Sequence, residues 1–569
     1  MMRNNKKRLN KCERENFVFE QVFSKPDIEE VYQTIKENRE GKGYKVSMTL
    51  EQILEMYNVF EDRVYFFKST QHGKCVAASV CIKLNNNVLY VFYWGDKQGF
   101  EQYSPVVFLA NGIYNFAQQK QKPNVLMISV DDLNDFIGAM GNPDAITPNL
   151  DRLAKRGVIF TNAHCQAPLC GPSRASILTG LRPSSTGIYG MITDNNIKMA
   201  SPLTLKSKNL PQYFKDSGYK ILGVGKVFHQ HFPDSLLDVD GGASEYGPYS
   251  PTKFKWQKKG TDTDWGAFPK TDEEMPDEHA TVWTVEQLNK DHEKPFFLSV
   301  GFIRPHVPWY VPQKWFDLYD PAKLHFPPYL ANDNEDLPAI TKKIDDWPMM
   351  PTTEWAKQNN EWSNILHAYL ACVSYADHNI GRVLDALEKS KYANNTIIVL
   401  WSDHGYRLGE KNTFAKVCLW DRATKAPLFF AGTSIPQGMK VNNPVELIDI
   451  YPTLIDLAGL EPYSANEGYS LKPLFDHKTQ WKHPAITTWE KNNHSIKTEF
   501  FRLIQYEDGS QELYDVRKDP NEWYNLVDKK EYQKIIIKLK KLLPKHNVDW
   551  AEKSFYNANE YFKNKGLRP

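Results

Sequence analysis

A chain of 569 residues is too long for one typical domain, and with 41% hydrophobic residues it can bury a substantial core. Its 70 Lys and Arg against 69 Asp and Glu leave a formal charge of +1, which excludes a nucleic-acid binder working by bulk charge and leaves room for a local basic pocket. The seven cysteines, Cys12, Cys75, Cys81, Cys165, Cys170, Cys372 and Cys418, form no CxxC pair, so neither a zinc ribbon nor a dense disulfide scaffold is expected.

The first eight residues are basic, but Leu9-Asn-Lys-Cys-Glu-Arg-Glu-Asn16 follows in place of an apolar signal-peptide core. No run approaches the roughly 18 apolar residues of a membrane span. A helix is expected over 28–40, strands over 64–68, 75–83 and 88–94, and an apolar helix over 105–117. Residues 1–120 therefore read as an α+β block, closed by the polar linker Gln118-Gln-Lys-Gln-Lys-Pro123. Within it, Gly73-Lys-Cys-Val-Ala-Ala-Ser-Val80, Tyr93-Trp-Gly-Asp96 and Tyr103-Ser-Pro-Val-Val107 resemble part of an N-acyltransferase fold. No Gly-rich loop follows to cradle a coenzyme pyrophosphate, and the block is expected to be catalytically idle.

From Asn124 onward strands and helices alternate, the mark of an α/β fold with a mainly parallel sheet. Asn124-Val-Leu-Met-Ile-Ser-Val130 is a nearly continuous apolar run fit for a central strand, and it delivers Asp131 and Asp132 at its end. A capped helix should follow Thr147, with Pro148 at its first position and Gly157 past its end.

Next comes Cys170-Gly-Pro-Ser-Arg174-Ala-Ser-Ile-Leu-Thr-Gly180. Pro172 suits a first helical turn, and Arg174 falls on the face of Cys170 one turn later. The unpaired N–H groups and positive dipole end of such a helix would meet an anion at residue 170, with the guanidinium adding charge. Taken alone, Cys170 reads as a buried thiol or a disulfide partner of Cys165. Cys165 is followed by Gln-Ala-Pro and lacks the arginine, so it is expected to be structural.

Asn395-Thr-Ile-Ile-Val-Leu-Trp-Ser402 is a second buried strand, delivering Asp403 and His404. Open α/β sheets bind ligands beyond the carboxyl ends of their strands, so Asp131, Asp132 and Asp403 can converge there as oxygen ligands for Ca²⁺ or Mg²⁺. The second Asp-His pair, Asp377-His378, lies inside a helical run over 368–387 and is assigned to structure. In the last block, from about residue 490, Asp508-Gly509 signals a hairpin. A basic amphipathic helix over 530–543 presents its lysines as a solvated face. There is no internal repeat.

The C-x-P-S-R-x-x-x-L-T-G stretch resembles the signature of type I sulfatases, whose cysteine is oxidised to formylglycine after translation. Gly223-Val-Gly-Lys226-Val-Phe-His229, Pro295-Phe-Phe-Leu-Ser-Val-Gly-Phe-Ile-Arg-Pro-His306-Val-Pro308, the stretch from Ser402 to Lys416 and the one from Leu513 to Leu526 extend the resemblance over most of residues 124–526. Its finer features are similar to the branch that holds iduronate-2-sulfatase and its bacterial polysaccharide-sulfatase relatives. The resemblance implies an alkaline-phosphatase-like core over 121–489 and a smaller C-terminal α+β subdomain with an antiparallel sheet over 490–569.

It further implies one Ca²⁺ per chain on Asp131, Asp132, Asp403, His404 and the modified Cys170. Arg174, Lys226, His306 and Lys416 would hold the sulfate, and His229 would act as base. Many sulfatases have Asn where this chain has His404, and a nitrogen ligand is less natural for Ca²⁺. One hydroxyl of the hydrated aldehyde would attack sulfur while a histidine protonates the departing alcohol. The implied substrate is a sulfated polysaccharide or its oligosaccharides, with a 2-O-sulfated uronic acid of glycosaminoglycan or ulvan type favoured. The implied partners are that carbohydrate and a formylglycine-generating or sulfatase-maturating enzyme, with no nucleic acid and no membrane span. Family placement implies the periplasm or the cell exterior, with the cytoplasm as alternative because no signal peptide is visible. Two other readings are a phosphomonoester or phosphonate hydrolase of the same superfamily and a non-catalytic carbohydrate-binding pseudo-enzyme. Lys226, His229 and Lys416 favour sulfate, and no ligand residue is lost.

Overall fold

The computed structural model describes residues 3–60, 63–85, 88–118, 122–258, 261–342, 349–476 and 480–555, and the chain divides into two units, Met1–Gln121 and Lys122–Pro569. In the first unit β1 (Phe17–Val22), β2 (Val64–Gln71), β3 (Lys74–Asn85) and β4 (Val88–Asp96) form an antiparallel sheet in that order. Alternation along β2 sends Phe66 to one face, where it packs with Ile28, Val31 and Ile35 of the helix Lys25–Gly41. Phe67 goes to the other face, with Leu109 and Ile113 of the helix Pro105–Gln118.

The second unit is built on β5 (Asn124–Val130), β6 (Gly157–His164), β7 (Lys220–Gly225), β8 (Val239–Asp240), β9 (Trp265–Ala267), β10 (Phe296–Phe302), β11 (Trp309–Val311), β12 (Thr396–Ser402), β13 (Lys425–Gly432), β14 (Met439–Val441) and β15 (Val445–Glu446). Among the described residues nine of these form one sheet, in the order β14-β6-β13-β12-β5-β10-β7-β8 with β15 also beside β6, while β9 and β11 pair separately. The neighbours are parallel except at β13, which runs against both β12 and β6.

Strands β5, β10 and β12 are buried along their whole length, as their unbroken apolar sequences require of strands covered on both faces. Leu126, Leu298 and Leu400 share one core with the long helix Trp362–Lys389. Met127, Phe297 and Val399 share the opposite one with Ile177 and Leu178 of the helix Cys170–Thr179. A second antiparallel sheet follows, β16 (Ala485–Thr488), β17 (His494–Lys497), β18 (Phe501–Gln505) and β19 (Gln511–Asp515), its first strand starting ahead of residue 490. The helix Gln533–Lys540, entered through a 3₁₀ turn at Lys530–Tyr532, buries Ile536 and Leu539 against this sheet. Among the described residues no helix is long and apolar enough to cross a membrane.

One local expectation is corrected, and Gly157 does lie just past the helix end. The Thr147 hydroxyl does not cap the helix Pro148–Arg156 but accepts from the Gly138 N–H at 2.9 Å. The cap is Asp377, whose carboxylate accepts from the backbone N–H of Asn149 at 3.1 Å and of Leu150 at 2.8 Å. Gly157 is extended, with φ −151°, and opens β6; a Cβ there would lie 2.1 Å from the Phe430 carbonyl, so strand contact explains the glycine. Asp377→Ala should cost about 1–2 kcal/mol of stability in denaturant unfolding. No loss of stability would mean that those two N–H groups are satisfied without Asp377.

Candidate active site

Strands β12, β5, β10 and β7 lie side by side and parallel, so their carboxyl ends share one edge. There they release Asp403 and His404, Asp131 and Asp132, Arg304 and His306, and Lys226 and His229, in that order. Two glycines let the last two strands close. A Cβ on Gly301 would lie 2.2 Å from the Lys226 carbonyl, and Gly225, at φ 75°, would meet the Gly301 oxygen at 2.1 Å.

Cys170 is the first residue of a ten-residue helix, Cys170–Thr179, in which every residue is buried and Leu169 supplies no side-chain cap. One turn on, Arg174 bridges the strand ends. Its Nη2 is 3.1 Å from Asp131 Oδ1 and its Nε 3.0 Å from Asp403 Oδ2, while Nη1 donates to the Lys226 and Val227 carbonyls at 2.5 and 3.0 Å. Lys226 Nζ pairs with Asp131 Oδ2 and lies 4.5 Å from the Tyr246 ring centre. Of the expected residues, Cys170, Asp132, His229, His306 and Lys416 line a cleft of ≈ 660 Å³. Arg174, Lys226, Asp131, Asp403 and His404 stand behind that lining.

Lys416 Nζ is 2.9 Å from Cys170 Sγ and 2.5 Å from Asp132 Oδ1. His404 Nε2 is 3.3 Å from the same sulfur and 3.4 Å from Asp132 Oδ1. Its Nδ1 lies 2.8 Å from the Gly405 carbonyl, which assigns the ring proton to Nδ1 and the lone pair to Nε2. The same logic holds for His306, whose Nδ1 is 2.6 Å from the Val307 carbonyl and whose Nε2 is 3.9 Å from Asp132 Oδ2.

Burial pushes the Cys170 thiol well up, against the pull of Lys416. It would also raise Asp131, but the charged Lys226 and Arg174 hold that carboxyl well below the usual range. Asp132 is driven up by burial and by Asp131 beside it, in spite of Lys416. Burial would lower Lys416, yet Asp132 holds its pKa well above the ordinary value, so the ammonium stays charged. For His229 and His306 burial works downward, with Lys226 and Lys416 respectively adding to it, and both rings are held neutral.

These groups suit a divalent cation. Ligand atoms of Asp131, Asp132, Cys170 and His306 lie within 4.8 Å of one another, as do those of Cys170, Asp403 and His404. Asp132 Oδ2 is buried and has no hydrogen-bond partner among the described residues, as a hard oxygen donor awaiting an ion would be. Asp132 takes φ 61°, rare for a side-chain-bearing residue. Tyr369 braces it, donating to the Asp132 carbonyl at 2.8 Å and accepting from the Asn134 N–H at 2.9 Å.

Several supporting residues carried no signal in the sequence. Asp194, in the turn-like run Thr193-Asp-Asn-Asn196, accepts from the backbone N–H groups of His229, Gln230 and His231 at 3.0, 2.6 and 3.2 Å, fixing the turn that carries His229. Arg407 donates to the Ala415 and Lys416 carbonyls at 3.2 and 3.4 Å, holding the Lys416 loop. Arg304 bonds the carbonyls of Tyr310, Tyr246 and Gly247 at 3.0, 3.4 and 3.4 Å. Of the unassigned histidines, His231 pairs with Asp240 at 3.0 Å, and buried His164 bonds Thr424 at 3.0 Å. All seven cysteines are free and buried, so Cys165 and Cys170 are not bridged.

The family model for sulfatases matches residues 123–460, and that for the C-terminal region of N-sulphoglucosamine sulphohydrolase matches 409–549. A sulfatase of Formosa agariphila is 53% identical over 78% of this chain and 91% of its own length. Human iduronate 2-sulfatase is 32% identical, over 59% of this chain and 69% of its own. A solved 2-O GAG sulfatase shares the alkaline-phosphatase-like fold with a TM-score of 0.57 at 23% identity, covering 74% of this chain and 91% of its own. The matched stretch contains the strand ends that carry the converging carboxylates and the helix that begins at Cys170, and its extent settles the assignment. This chain belongs to the sulfatase family and is a sulfuric ester hydrolase.

Proposed function

We propose that the enzyme hydrolyses sulfate esters of a sulfated polysaccharide or its oligosaccharides, with formylglycine at position 170 and one Ca²⁺ held by Asp131, Asp132, Asp403 and His404. The observation that carries this reading is the meeting of Cys170 Sγ and Lys416 Nζ around Asp132 on one cleft wall, with His404 Nε2 reaching both from behind it. When present, the aldehyde hydrate supplies an oxygen nucleophile and Ca²⁺ supplies charge to the sulfate oxygens. The chain's own residues do the rest. Lys416, charged and beside residue 170, holds a sulfate oxygen and offsets charge that develops in the transition state. His229, neutral and fixed by Asp194, accepts a proton, and His306 contacts the sulfate from the same lining. Arg174 and Lys226 act through Asp131 and Asp403, keeping Asp131 ionised and both carboxylates in place. Every one of these residues belongs to the second unit, and residues 1–120 take no part in the chemistry.

For the ring that bears the sulfate, the name of the iduronate 2-sulfatase relative supports a 2-O-sulfated uronic acid, of glycosaminoglycan or ulvan type. The partner that equips Cys170 is a formylglycine-generating or sulfatase-maturating enzyme. Aryl sulfate should be turned over faster than aryl phosphate, and exhaustive chelation should suppress the rate until Ca²⁺ is added back. Preference for phosphate would favour the phosphoester alternative. Full activity with no metal by elemental analysis would remove Ca²⁺ from the site.

A further inference from the structure

The cleft holds more than the sulfate chemistry uses. Beyond Cys170, Asp132, His229, His306 and Lys416 it is lined by apolar groups such as Met191, Met349 and Met350, and by Ser244, Tyr249 and Asp262. We propose that Tyr249, Asp262 and Ser244 form a subsite for the hydroxyl groups of a carbohydrate ring, presented beside the sulfate that the ring carries. This rests on the sulfatase reading, because the ring takes its place from the sulfate at residue 170.

The chemistry of these side chains fits a sugar. Tyr249 and Asp262 both line the cleft, and 52% of Tyr249 is exposed, leaving its ring face open to the C–H face of a ring. A carboxylate has about four acceptor positions, so Asp262 has capacity for several hydroxyl donors, and such charge-assisted bonds are the stronger kind. The Ser244 hydroxyl is buried without a hydrogen-bond partner among the described residues. An aryl or alkyl sulfate would need none of these groups.

Both segments are braced by bonds that have no part in sulfate transfer. The loop that carries Ser244 and Tyr249 is held from below by Arg304, through the Tyr246 and Gly247 carbonyls. Asp262 lies between Thr261 and Thr263, whose hydroxyls bond each other at 2.9 Å and reach the Met349 carbonyl at 3.2 Å and Met350 Sδ at 3.0 Å. Next to them, Asp264 accepts from the N–H groups of Phe254, Lys255 and Trp256 at 2.6, 2.8 and 2.9 Å. The nearest cation, Lys253, is directed to the carbonyls of Lys258, Thr261 and Thr263 and is not in the lining. Asp262 therefore lines the cleft on a rigid support, which is how a specificity group is presented.

The test compares wild type, Asp262→Asn and Tyr249→Phe on two probes, an aryl sulfate without hydroxyl groups and the best-hydrolysed member of a panel of sulfated disaccharides. Each variant should lose at least about tenfold more kcat/KM on the disaccharide than on the aryl sulfate, mostly through KM. Equal losses on the two probes would overturn the subsite, as would wild-type enzyme that hydrolyses aryl sulfate but no disaccharide of the panel. If Asp262→Asn does not fold, Tyr249→Phe at its half-exposed position decides by the same ratio. Wild-type enzyme inert toward both probes would overturn the sulfatase mechanism first, and the subsite with it.

Discussion

Cys170→Ala should lower kcat by about 10⁴-fold or more while leaving the fold intact. The substitution removes the sulfur that lies 2.9 Å from Lys416 Nζ and 3.3 Å from His404 Nε2, and with it the only atom from which a nucleophile could be made there. Alanine is a good helix former at the first position of Cys170–Thr179, and Lys416 keeps its pairing with Asp132. Circular dichroism and unfolding should therefore match wild type while aryl sulfate turnover disappears. The companion measurement is the mass of the peptide spanning residues 157–174 from active enzyme, which should show the thiol replaced by an aldehyde. An unmodified thiol in fully active protein would remove residue 170 from the chemistry.

Arg174→Met should damage stability as well as rate. The guanidinium is 1% exposed and stands between Asp131 and Asp403 at 3.1 and 3.0 Å, while also tying down the Lys226 and Val227 carbonyls. Methionine preserves much of the volume but leaves two buried carboxylates short of a partner, a change that typically costs about 3–5 kcal/mol. Arg174→Lys should recover the charge without the planar fork, and so only part of the loss. Denaturant unfolding measures both. A loss below about 1 kcal/mol for Arg174→Met would mean that the carboxylates are satisfied without it.

The sequence made legible whatever is encoded locally. The runs that became β5 and β12 are apolar without interruption, and the acids following them had to emerge at a strand end. Cys170 and Arg174 could be placed on one helical face by their spacing. What the sequence hid depends on contacts between distant segments. The helix after Thr147 has a good local cap residue, yet Asp377, 228 positions from Asn149, takes the role because the long helix packs it against those N–H groups. Asp194, Tyr246 and Arg407 shape the site by reaching backbone or ring atoms elsewhere in the chain, which no spacing rule reports. For Arg174 the charge was legible and the direction was not. Packing turned it toward the carboxylates and away from the cleft lining.

The burial of all ten residues of the helix that begins at Cys170 has a consequence for the order of events in synthesis. An enzyme that recognises the Cys170-Gly-Pro-Ser-Arg174 stretch must bind it as accessible peptide. In the folded chain only 3% of Cys170 is exposed, and Arg174 is held by Asp131 and Asp403. On the proposed mechanism, oxidation of that side chain therefore belongs to the interval before the helix docks against the sheet. On the same reading, a chain that folds sooner would close over an unreacted thiol and stay without its nucleophile for as long as it remains folded.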